Sequence, residues 1–111
     1  MSRRPVCAAI AAGLIASSIS QSASAEPHYS KAVEILESTI SECYFFRLAG
    51  VSQSDPVTPN SPWFAIHKDQ AQAKDMVALL ITARVTGMNL QRVVTNGSVV
   101  CGHAQVQLID F

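Results

Sequence analysis

A helix held between two strand-like runs, within Trp63 to Thr95, constrains this chain more than any other stretch. Trp63-Phe64-Ala65-Ile66 is a short aromatic and aliphatic run with strand character, and Leu90 to Thr95 is strand-like again. Between them, Asp69 to Thr86 has helical spacing. Met76, Leu79, Leu80 and Ala83 fall at i, i+3, i+4 and i+7, and Ala73, Val77 and Ile81 form a second row beside them, so the apolar stripe is wide. Asp69 is placed to accept a free N–H of the first turn as N-cap. Asp75 and Arg84 suit the two ends of the helix dipole, and Gly87 can take the left-handed conformation that closes a helix. A stripe this wide calls for cover on more than one side, from its own sheet and from a further surface such as another subunit. The alternative of a membrane span fails on length, because a bilayer needs about 20 apolar residues and Asp75 and Arg84 flank this run closely.

The first 25 residues read as a signal peptide. Met1-Ser2-Arg3-Arg4 is basic, Pro5 to Ile19 is apolar and small, and Ala23-Ser24-Ala25 is the pattern cut by a signal peptidase. Cleavage there leaves residues 26–111 as one small domain, exported to the periplasm or beyond. Six basic against eight acidic residues give that domain a net charge of −2. Without a basic patch, neither nucleic acid nor an anionic membrane surface is an expected partner. The domain keeps two cysteines, Cys43 and Cys101. In an oxidising compartment they most simply form one structural disulfide. Closing so long a loop contributes on the order of 4 kcal/mol in the chain-entropy view. A redox or metal pair is the alternative, but no C-x-x-C is present.

Glu26 to Ser30 is polar, contains Pro27 and reads as a loose leader. Ala32 to Ser38 is expected as the first strand, although Glu34 and Glu37 also suit a helix. Cys43 to Leu48 is a second, aromatic strand. Val51 to Pro62 carries Pro56, Pro59 and Pro62, which forbid helix and discourage ladder pairing, so it is expected as an exposed loop. Such a loop is either a plain connector or a place for binding residues. Asn96-Gly97 is a strong turn dipeptide and, with Ser98, also matches a glycosylation triplet. His103 to Asp110 alternates as a last strand, with Ala104, Val106 and Leu108 on one face. The expected fold is therefore mainly β with one helix. It is a five-stranded OB-fold-like barrel with the helix between strands 3 and 4, and an α+β sandwich is the runner-up.

No catalytic or cofactor motif emerges. There is no G-x-S-x-G, H-E-x-x-H, P-loop or G-x-G-x-x-G. His67 and His103 fall at strand ends, and a zinc site would need a third ligand beside them. Glu34 and Glu37 would need a cleft to act as an acid–base pair. The chain is accordingly read as a non-enzyme without metal or cofactor.

Four features carry a resemblance. They are Trp63-Phe64-Ala65-Ile66, the helix ending Ala83-Arg84-Val85-Thr86-Gly87, the strand Leu90 to Thr95, and Val100-Cys101-Gly102 before a closing strand. With these, residues from Cys43 onward resemble small exported OB-fold proteins related to the binding subunits of pertussis-like and subtilase-type AB5 toxins. The resemblance implies a non-catalytic barrel that, in the toxin members, forms rings of five and binds sialylated glycans. The expected function is an exported binding module for a glycan, with homo-oligomers in view. Trp63, an indole at the end of a proline-rich loop, is the expected binding residue. A structural or accessory role against a partner protein, through the apolar helix, is the alternative.

Overall fold

The structure is a computed structural model that describes residues 26–111; the expected signal peptide lies outside the described residues. Six strands and one helix follow in order. They are β1 (Pro27–Lys31), β2 (Val33–Ser38), β3 (Cys43–Leu48), β4 (Phe64–His67), α1 (Ala73–Thr86), β5 (Leu90–Val100) and β6 (His103–Asp110). All strands lie in one sheet of order β1-β5-β6-β4-β3-β2. Neighbours are antiparallel except β4 and β6, which run parallel.

The two edges of this sheet are consecutive in sequence. Only Ala32 separates β1 from β2, so the sheet must curl until its edges meet there. Ser30 turns the chain with φ of 55°, Ala49 N–H bonds the Ala32 carbonyl at 2.9 Å, and Asn89 Nδ2 donates to the Ser30 carbonyl at 3.1 Å. Taken as one bent strand, β1 and β2 restore the five-strand, one-helix order expected of an OB-like barrel. The sixth strand is the segment expected to be a loose leader. Pro27 to Lys31 has no alternation of its own and becomes a strand by pairing with β5, from Pro27↔Val94 to Lys31↔Leu90.

Alternation places the core. Phe46 and Leu48 on β3, Phe64 and Ile66 on β4, Leu90 and Val93 on β5, and Val106 and Ile109 on β6 join Val33 of β2 inside. Phe46 and Phe64 stack with centroids 4.9 Å apart. The helix packs against β2 and β6 and adds Ala73, Met76, Leu80 and Ala83 to the same core. Its C-terminus is as expected: Gly87 has φ of 74° and its N–H reaches the Ala83 carbonyl at 2.9 Å. Its start is not, because α1 begins at Ala73 and Asp69 caps nothing. Gln70 holds the preceding residues in a turn instead. Its Oε1 accepts the His67 N–H at 2.7 Å and its Nε2 donates to the Val106 carbonyl at 3.0 Å.

The turn before the last strand also differs from expectation. Asn96-Gly97 lies inside β5, where a register shift sets Thr95↔Val106 and Val99↔Ala104. Four steps along β5 thus face two along β6, and the surplus is folded into a bulge in which Asn96 Oδ1 accepts the Ser98 N–H at 2.9 Å. The hairpin turns at Cys101-Gly102, with φ of 52° and 81°. Both values are positive, as a two-residue type I′ connection requires.

Candidate functional site

Register builds a row of polar and aromatic side chains on the outer face of the barrel. Phe46 pairs with Phe64, and Phe64 with Ala104, all three buried. One residue along each strand, the side chains point the other way. There Arg47, Trp63 and His103 lie side by side, all partly exposed. Glu34, from β2, extends the row. Arg47 NH2 lies 2.6 Å from Glu34 Oε1, and its Cζ sits 5.3 Å from the centroid of the Trp63 ring. The His103 ring lies on the other side of the indole, at 6.4 Å and tilted by 49°. Phe45 meets the same imidazole edge-on at 5.4 Å.

The proline-rich loop locks onto this row. Ser61 Oγ lies 3.3 Å from His103 Nδ1 and accepts the Trp63 N–H at 3.2 Å. Beside the row, Glu34, Arg47, Leu48, Gly50, Val51 and Pro62 border a shallow depression. The loop itself is less exposed than expected, since Ser54 and Asp55 are fully buried. Thr58 N–H bonds the Asp55 carbonyl at 2.9 Å, and Ser54 N–H bonds the Ser61 carbonyl at 2.9 Å. The loop is thus a tight chain of turns rather than a free connector.

Chemically the row offers an indole, a phenyl edge, a guanidinium, a carboxylate and an imidazole, all reachable from one side. Those groups suit a ligand with hydroxyls and an apolar face. Trp63, the residue singled out in the sequence, lies in this row. Arg47, Glu34 and His103 as its companions are set by strand pairing, for which the linear sequence carries no direct signal.

The two strand-end histidines, His67 and His103, do not meet. In the parallel β4–β6 pair, His67 lies four residues beyond the level of His103, about 13 Å at strand rise. His67 Nδ1 accepts the Asp69 N–H at 3.1 Å, and His67 has Glu42 and Asp69 carboxylates at 3.8 and 3.9 Å. Glu34 is engaged by Arg47. Among the described residues, no three His, Cys, Asp or Glu side chains are grouped to hold a metal ion. Cys43 and Cys101 are joined in a disulfide that ties β3 to the β5–β6 turn.

No protein-family model matches the chain, and no curated protein matches it. Among solved structures it is similar to the cholera toxin-like B-subunit from Citrobacter freundii, with a TM-score of 0.56 and 11% identity over 78% of this chain and 85% of that one. The fold is thus that of a distant B-subunit-like barrel. The likeness is to that class at large and singles out neither the pertussis-like nor the subtilase-type branch.

Proposed function

We propose that this chain is an exported, non-enzymatic binding module whose ligand is a glycan, taken up on the outer face at Trp63. The observation that carries the reading is the Glu34–Arg47–Trp63–His103 row on a B-subunit-like barrel. An indole face stacks on the C–H face of a sugar ring. A guanidinium, a carboxylate and an imidazole around it answer the hydroxyls, as in other sites where a few placed polar groups orient a ligand. The disulfide and the fold class both suit export. A glycan array probed at high protein concentration should return hits that Trp63→Ala abolishes; no hit, or hits untouched by that change, would refute the reading.

A second reading rests on a separate observation. The outer side of α1 leaves Ile81 48% and Val85 79% exposed, with Met88 exposed just beyond. Together with Ile35 and Leu36 of β2, Ile81 and Val85 border a groove. Exposed apolar surface of this kind favours a protein partner, either another exported protein or a second copy of this chain. Among the described residues no helix is long and apolar enough to cross a membrane.

A further inference from the structure

Asp55 is fully buried, and its carboxylate has two partners. Oδ1 accepts the Val57 N–H at 2.8 Å, and Oδ2 accepts the hydroxyl of Thr95, itself fully buried. Among the described residues no Lys, Arg or His nitrogen lies within 4.0 Å of that carboxylate. A buried carboxylate without a cation is costly, because the desolvation of its charge is only partly offset by neutral hydrogen bonds. The chain continues from Thr95 to one more atom. Thr95 Oγ1, which donates its hydrogen bond to Asp55, accepts one from the Glu26 N–H at 3.1 Å. Glu26 is also the residue that follows Ala23-Ser24-Ala25, the sequence pattern of a signal-peptidase site.

These two facts meet at one atom. We propose that cleavage after Ala25 creates the missing cation, and that the Thr95–Asp55 pair is a binding site for the new α-ammonium of Glu26. Hydrolysis of the Ala25–Glu26 bond consumes one water and leaves a carboxylate on Ala25 and an ammonium on Glu26. The nitrogen that was a neutral amide now carries a charge one hydroxyl away from the buried carboxylate. It stands at the head of β1, the strand that completes the barrel against β5. Processing thereby tightens the closure of the fold as well as removing the leader.

The test uses the processed protein isolated after export of the full-length chain. Mass spectrometry should place its first residue at Glu26; any other start overturns the proposal. In urea near neutral pH an α-amine is acetylated in preference to lysine side chains, so the charge can be removed selectively there and the protein refolded with its disulfide intact. Acetylation restores a neutral amide N–H, so it keeps the bond to Thr95 and removes only the charge. The acetylated protein should melt lower by about 4–8 °C. The same acetylation should shift Asp55→Asn, or Thr95→Val if that variant folds more readily, by much less. In urea the amine should acetylate several-fold faster than in the folded protein. Equal melting of the free and acetylated forms, an undiminished shift in the variants, or equal labelling rates would each overturn the proposal.

Discussion

Trp63 and Phe64 are adjacent on the chain and face opposite media. Phe64 is fully buried, stacked on Phe46 and touched edge-on by His28 at 5.3 Å. Its replacement by alanine opens a cavity in the hydrophobic core of the described residues, at a cost of about 3–5 kcal/mol. Trp63→Ala removes a cation–π contact and no core atom, so it should cost about 1 kcal/mol or less. Urea titration of the two variants should separate them by several-fold in lost stability. Similar losses would mean that the indole is a packing element and that the outer row is not a surface. The Arg47–Glu34 ion pair beside Trp63 is half exposed and contributes little to stability by itself. It holds the guanidinium over the indole.

At the scale of elements, α1 divides into an inner and an outer side. Met76, Leu80 and Ala83 are in the core, whereas Ile81 and Val85 face out. The paired change Ile81→Glu and Val85→Glu should leave thermal stability within about 0.5 kcal/mol, since no core contact is lost. If the outer side is where a protein partner sits, light scattering should show the unsubstituted protein in complexes that the paired change dissolves. A strict monomer in both cases removes that reading. The wide apolar stripe was legible in sequence, and so was its end at Gly87, because both are local properties. The start at Ala73 was not, because Gln70 is held by the Val106 carbonyl on β6, a partner 36 residues away. Strand β1 was hidden for a similar reason: a Pro-His-Tyr-Ser run has no amphipathic period, and β5 supplies its ladder. Of the two dipeptides Asn96-Gly97 and Cys101-Gly102, residue type favours the first as a turn, yet it is Cys101 and Gly102 that both take positive φ. Only the second coincides with the point where the chain must reach Cys43. Likewise Trp63 stood out by residue type, while Arg47 and His103 joined it through pairings that span the sheet.

The whole molecule is held by two long-range ties, one covalent and one of hydrogen bonds. Cys43 and Cys101 close a loop with a sequence separation of 58 residues. Replacing both with alanine should cost about 4 kcal/mol in the chain-entropy view, a large share of the 5–15 kcal/mol typical of a domain. A urea titration of that variant, beside the oxidised and reduced parent, checks it; the variant should match the reduced parent. The second tie is the meeting of β1 with β5 where Ala32 joins the two sheet edges. Any polypeptide is synthesised from its amino end. Residues 27–31 are therefore made long before their counterparts at 90–94. Like the free end of a belt, this short strand waits unbuckled while the rest of the molecule is laid down, and everything that guards it meanwhile must work on an incomplete protein.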